Sequence, residues 1–470
     1  MDGQRHECPN CRVLQEQLDV LKAQVARLQA EVAKLRKDSG NSSKPPSSDI
    51  VKPKTTAKSA EQGKRKRGGQ KGHTRHERTA LDESQIDVFW DYTYDVCPDC
   101  GGPVQSISEI ELAPIVVQQV ELTPTPVTVS EHRSHACRCK ACGKTHYAPI
   151  DSATKKAGLM GPQLTALVAY LKAAGHCSYS TIRKFLRDVL KIKVSRGYLA
   201  KVCQKVSQSL YKNQQLLQDL LAEQAVVNVD ETGHKDNGDR MWTWCFRAST
   251  FTLFKISPTR SAKVLHEVLG DEFNGVLGCD YYSAYRKYMG DTNAVVQFCL
   301  AHLIRDVRFL VNHPDKENQK YGNKLLKAIR NLFAVIHRRD QKSPEEFALE
   351  IEDAANELLG AATISIPKSK EAYNIFNRFD KHGDSYIRFI TTPGLEPTNN
   401  LAEQAIRFVV IDRQVTQGSR SEAGQKWLER IWTVMATCAQ QGRSVFHFLA
   451  ESVNAYLNNT EPPNLLPEPS

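Results

Sequence analysis

A multidomain α+β chain with a mixed α/β core is what this sequence predicts, on three observations. Two strand-like runs, AVVNVD (225–230) and GVLGCD (275–280), each close on an aspartate. Around them the pattern runs through three strands, a helix, a strand, and then a strand leading into a helix. RMWTWCFRAST and FTLFKIS supply the second and third strands, SAKVLHEVLG the helix, and VVQFCLAHLIRDVRFL the final strand and helix. Ahead of this region the chain changes character several times, as a string of modules does. Three consecutive strands followed by helix-linked strands describe a mixed sheet of ribonuclease H type.

The bulk properties agree with a soluble, modular protein. At 470 residues the chain exceeds one core, and its 40% hydrophobic and 25% charged content is ordinary for globular protein. No apolar run reaches membrane-spanning length, and the amino terminus lacks a signal-peptide core, so a cytoplasmic protein with no membrane association is expected. Most of the net charge of +10 sits in one place, because residues 52 to 78 hold ten Lys and Arg against two Glu. Such a concentration points to a polyanionic partner. Thirteen cysteines in a reducing compartment argue for metal ligands or buried thiols before disulfides.

The modules follow in order. Over residues 12–37 the apolar positions Leu14, Leu18, Leu21, Val25, Leu28, Val32 and Leu35 alternate steps of four and three, a heptad seam. Val on one core position and Leu on the other favours a parallel dimer, with Glu31 and Arg36 flanking. Cys8 and Cys11 precede it as CPNC, where half a zinc site, a helix cap and an idle thiol pair all stay open. Residues 38–80 form a linker too polar to fold alone, and its KRKRGGQKGHTRHER tract offers Lys64, Arg65, Lys66, Arg67 and Lys71 to a phosphate backbone. Residues 81–150 carry CPDCGG and CRCKACGK, two CxxC pairs each followed by Gly, which together suit one tetrahedral Zn²⁺. Cys97 and Cys100 form the first half. Cys139 and Cys142 form the second, with Cys137 as the competing thiol. The intervening VVQQVELTPTPVTVSEHRSHA alternates as strands of a small zinc ribbon would. Residues 151–224 read as helices, one ending at Gly175 and one starting behind a Ser195 cap; a helix-turn-helix and a plain helical bundle both fit.

Residues 225–312 carry the strands and helices described above, residues 313–392 are helix-rich, residues 393–457 follow with further helical pattern, and 458–470 form a tail. Two ionised carboxylates brought together at neighbouring strand ends repel unless a cation joins them, and hard Mg²⁺ (or Mn²⁺) prefers oxygen ligands. Asp230 and Asp280 fit that requirement. Glu231, next along the strand, faces the other side and reads as structural. A third carboxylate is expected from a later helix, with Glu396, Glu403, Glu422 and Glu429 as candidates. Glu403 lies in the first turns of TNNLAEQAIRFVVIDRQ, a helix capped near Asn399 or Asn400, where its bland alternative is an i,i+4 pair with Arg407. Cys299 and His302 have a CxxH spacing with no second half, and by spacing alone they are not a zinc site.

Taken together, the heptad helix, NSSKPPSSD, GGQKGH, the two zinc halves, VDET, DYYSAY, CLAHLIRD and TNNLAEQAIR resemble the insertion sequence 66 family of bacterial DDE transposases over nearly the whole chain. The resemblance implies a catalytic set of Asp230, Asp280 and Glu403, and a ribonuclease H-like core interrupted by a helical insertion before the last acid. It also implies metal-dependent cleavage of element ends followed by attack of a 3′ hydroxyl on target DNA, in a nucleoid-associated homodimer or higher oligomer, with accessory proteins possible. Leu300 stands where many relatives carry Trp, and RQVTQGSRSEAG matches loosely, which blurs whether Arg407, Arg413 or Arg420 meets DNA. Two other classes remain in play: a ribonuclease H-like nuclease without strand transfer, and an inert DNA-binding regulator.

Overall fold

A computed structural model describes residues 9–35, 80–103, 115–123, 126–138, 140–142 and 144–466. The basic tract with Lys64, Arg65, Lys66, Arg67 and Lys71, and also Cys8 and Cys139, lie outside the described residues. The chain separates into two compact units, Lys54–Glu131 and the remainder.

Within the smaller unit, Asp82 caps a short 3-10 turn with a capping box to Gln85, and Cys97 to Gly102 form a tight knuckle. Gly101 donates to the Cys97 carbonyl at 2.8 Å from a left-handed φ of +71°, a conformation glycine adopts without cost. The alternating residues expected as ribbon strands are not strands: 115–123 and 126–135 carry none, and Ile115, Val117 and Val129 are almost fully exposed. Alternation alone cannot make a strand where no neighbour completes the ladder.

The larger unit begins with helix α1 (Pro9–Leu35). Its heptad residues, from Leu14 at 63% to Leu35 at 81% exposure, face solvent. A small antiparallel pair, β1 (Ala136–Arg138) and β2 (Thr145–Tyr147), holds Cys137 opposite His146. Five helices follow: α2 (Ser152–Ala157), α3 (Pro162–Ala173), α4 (Tyr179–Asp188), α5 (Arg196–Ser209) and α6 (Tyr211–Leu221). Ser195 caps α5 by accepting the Tyr198 N–H, as the sequence signals.

The sheet and its interleaved helices come next: β3 (Val226–Asp236), β4 (Asp239–Arg247), β5 (Thr252–Ser257), α7 (Lys263–Leu269), β6 (Val276–Cys279), α8 (Ser283–Thr292), β7 (Val295–Phe298) and α9 (Leu300–Val311). The strand order is β5-β4-β3-β6-β7, with β3, β6 and β7 parallel and β4 and β5 antiparallel to their neighbours. The insertion holds α10 (Lys316–Ile336), α11 (Pro344–Thr363), α12 (Lys370–His382) and the single turn α13 (Asp384–Ile387). The chain returns as α14 (Asn400–Thr416), α15 (Glu422–Gln440) and α16 (Val445–Asn458). Helix α16 packs on α3 and α5, and α15 packs on α5, so the early helices share a core with the carboxyl-terminal ones.

Two details decide where the site sits. Strand β3 does not stop at Asp230 but runs six residues further, turning into β4 through Asn237 and Gly238 at φ +49° and +98°. Asn-Gly with both residues left-handed is the favoured two-residue hairpin turn. At the other edge, β5 would expose unpaired N–H groups. Helix α15 covers them at a spacing of one turn. Thr437 accepts from Thr252 at 3.1 Å, Thr433 from Phe254 at 3.0 Å and Glu429 from Ile256 at 2.6 Å.

Candidate active site at the parallel strand ends

The parallel pairing of β3 with β6 aligns Val226 with Val276, Val227 with Leu277 and Asn228 with Gly278. Continued two residues, this register sets Asp230 beside Asp280, on strands that run about 4.8 Å apart. Each carboxylate is anchored by a backbone N–H, Asp230 from Glu231 at 2.9 Å and Asp280 from Tyr282 at 2.8 Å. Cα crowding between the strands is relieved by Gly278, where a Cβ would lie 2.4 Å from the Asn228 side chain.

Glu403 arrives from far along the chain because the start of α14 is tied to both neighbours. The Asn399 amide side chain donates to the Val229 carbonyl at 2.7 Å, its backbone N–H reaches the Cys299 sulfur at 3.1 Å, and Leu300 N–H donates to Pro397 O at 3.0 Å. One residue before Asp230 and one turn before Glu403 are therefore fastened together. Burial drives the Asp230 carboxyl well above the usual carboxylate range, and the charges of Glu231, Asp280 and Glu403 push it the same way. Burial and the Glu231 charge push Asp280 up to about 7, against the opposing pull of the Tyr282 N–H and Arg260. Glu403 is also raised, by burial, with Arg305 opposing. Three carboxyl groups all raised by burial, with Asp230 pushed further by the charges of Asp280 and Glu403, are a donor set that a hard divalent cation fits.

Glu403 is held loosely. Its Oε1 lies 3.5 Å from both His302 Nδ1 and Arg305 Nη2, and among the described residues no pair with Arg407 forms. Burial and the Arg305 charge bring His302 down to about 4, so the imidazole is neutral near pH 7 and adds no charge to the contact. Cys299, His302 and Glu403 offer ligand atoms within 4.8 Å of one another. That cluster is invisible in the CxxH spacing because its third member lies about a hundred residues on. Burial pushes the Cys299 thiol up to about 11, so it stays protonated near pH 7 and is a poor ligand for a hard divalent cation.

The remaining candidates are used otherwise. Glu422 pairs with Lys426 at 2.6 Å, Glu429 serves the β5 edge, and Glu396 is exposed. Glu231, next along β3, makes its own set of contacts, and its charge is the largest acting on Asp230 and Asp280. It is buried, receives Arg260 at 2.5 and 2.6 Å on one oxygen and the Tyr285 hydroxyl on the other, and Arg260 lies 3.8 Å over the Tyr282 ring. Arg407 and Arg420 are exposed, whereas Arg413 is half-buried and donates to Thr232 at 3.2 Å. The segment after Glu403 is a second rail on β3: Ser419 pairs through its backbone with Lys235 and Asn237, and its hydroxyl meets His234 at 3.0 Å. In the smaller unit, the N–H groups of Cys100 and Asp99 hold the Cys97 thiol below its ordinary value, as suits a thiolate metal ligand. Cys100, Cys137 and Cys142 are exposed.

A five-stranded mixed sheet carries Asp230 and Asp280 just past the end of its β3–β6 pairing, with Glu403 on a returning helix, and comparison with known families names the class of protein. Residues 157–426, more than half of the chain and including all three acids, match the Transposase IS66 family. The chain belongs to that family of transposases. Residues 4–79 match a family of unknown function, and no curated protein matches. Among the described residues no helix is long and apolar enough to cross a membrane.

Proposed function

We propose that this transposase cleaves the ends of its element and joins them to target DNA at one divalent-metal site made by Asp230, Asp280 and Glu403, on a core of ribonuclease H type. The observation that carries the reading is the β3–β6 register, whose last pair, Asn228 with Gly278, lies two residues before both aspartates, together with the Asp280 charge acting on Asp230. The Asn399 bond to Val229 supports Glu403 as the third member. When bound, Mg²⁺ or Mn²⁺ supplies Lewis-acid stabilisation to the attacking and leaving oxygens of a phosphodiester. The chain's own part is to gather the acids, to fix two of them by backbone N–H bonds, and to keep Glu403 free to turn from Arg305 toward its companions.

The other modules supply grip. Cys97, Cys100, Cys139 and Cys142 hold a structural Zn²⁺, and the basic residues Lys64, Arg65, Lys66, Arg67 and Lys71, with Arg407 and the solvent-facing part of Arg413, meet DNA phosphates. The exposed seam of α1 pairs two chains, in the parallel register its Val and Leu positions favour. The protein works in the cytoplasm at the nucleoid. The test is an assay of purified protein on DNA carrying the element's own ends, with Mg²⁺ and then EDTA. Cutting and joining that both vanish in EDTA and in Asp230→Asn, with DNA binding retained, is the expected result. Cutting without joining favours a plain nuclease; binding alone favours a regulator.

A further inference from the structure

The insertion carries a charge asymmetry that the carboxylate site does not use. Helix α10 exposes Lys316, Lys320, Lys324, Lys327 and Arg330, and at about 100° per residue these fall within one arc of roughly 120°. Its opposite face, including Leu325, Ile329 and Leu332, is buried and packs on α9 and α11. Glu317 is the single acid of α10, and it pairs with Lys320 at 2.7 Å in the first turn. Lys316, Lys327 and Arg330 form no ion pair among the described residues. A cleft of about 660 Å³ beside them is lined by Lys320, Lys324 and Lys368, together with Asp315 and Glu317.

The neighbouring helix is the reverse. Helix α11 has six acids and no Lys or Arg. Packed helices of opposite charge would ordinarily spend that complementarity on cross pairs. Here Arg338 and Lys342, both beyond the end of α10, are the cations that reach Glu350 of α11. A merely solvated face is served as well by mixed signs, whereas a face of one sign creates a directed field. No large apolar side chain is exposed along α10, so the face lacks the anchors of a protein interface. A phosphate backbone needs only the cations.

We propose that the outward face of α10 is a second duplex-DNA contact surface, gripping phosphates without reading sequence. This rests on the reading of the chain as a DNA-joining enzyme and adds where a further length of duplex lies. The test is fluorescence anisotropy of the full-length protein on a duplex of unrelated sequence, titrated with salt. It compares wild type with a variant combining Lys316→Ala, Lys324→Ala, Lys327→Ala and Arg330→Ala. Each lost phosphate contact lowers the slope of log affinity against log salt by about 0.9, so a fall of roughly 2 to 4 in slope, with weaker binding at low salt and an unchanged circular dichroism spectrum, is expected. An unaltered slope and affinity, or a loss of self-association with DNA binding intact, overturns the inference. If the wild type itself binds no duplex, the transposition reading fails as well; if only the variant comparison is flat, this surface alone is wrong. Should the variant unfold, Lys324→Glu with Lys327→Glu, both on the solvent face, carries the same comparison.

Discussion

Strand β3 holds adjacent acids with opposite fates. Glu231 is buried with each oxygen matched, by Arg260 and by Tyr285. Asp230 instead has a single backbone N–H and the charges of three acids upon it, Glu231 first, then Asp280 and Glu403. A protein able to neutralise one carboxylate so fully has left its neighbour open, and charge left open beside like charge is an affinity for a cation. On the proposed reading, the contrast separates structure from chemistry one residue apart.

Substituting across that divide should sharpen it. Asp230→Asn, and separately Asp280→Asn, should lower strand transfer by more than roughly 100-fold, the scale for removing one charge-stabilising group from an active site, while the thermal midpoint holds or rises because repulsion is relieved. Glu231→Gln should do the reverse in kind. Breaking a buried pair costs about 3 kcal/mol at the low end, fitting here because the Arg260 side chain stays 26% exposed; urea unfolding reads the loss. A Glu231 variant of full stability and no activity would collapse the distinction.

A smaller effect is set by pH. Asp280 is raised to about 7, so its carboxyl is protonated below that and ionised above. Without metal, this group favours the fold below the usual aspartate range, and the benefit is lost as pH rises through 7. Metal binding must displace the same proton. Mg²⁺ affinity measured by calorimetry should therefore weaken by at least about tenfold per unit as pH falls below 7, because Asp230 is raised as well, and the Mg²⁺-induced rise in midpoint should be larger at pH 8 than at pH 6. Smallest of all, Thr433→Val removes one cover from the β5 edge and should cost about 1 kcal/mol with strand transfer unchanged, because that edge lies two strands from Asp230.

Much of this was legible in the residues. Apolar runs closing on Asp230 and Asp280 placed both acids, and the period of TNNLAEQAIR placed Glu403 on a helix. The family resemblance, not spacing, chose Glu403 over Glu429, and geometry supplies the reason: Glu429 is consumed by a strand edge that no linear pattern reveals. The extension of β3 past Asp230 went unread although Asn237-Gly238 signals the hairpin. The Asn399 brace and the contacts of His302 and Arg305 with Glu403 were hidden because their partners meet only across the fold. In the amino-terminal part, alternation between the cysteine pairs overstated the strands, since a period of two describes a side-chain pattern and not a hydrogen-bonded neighbour.

The account stands or falls on where a divalent ion binds. Anomalous scattering from Mn²⁺ in crystals of the wild-type protein with DNA ends locates it directly. The account places manganese between the carboxylates of Asp230 and Asp280, with a Glu403 oxygen within coordination distance. Manganese seated only elsewhere, with those two aspartates bare and Glu403 still against Arg305, would contradict it.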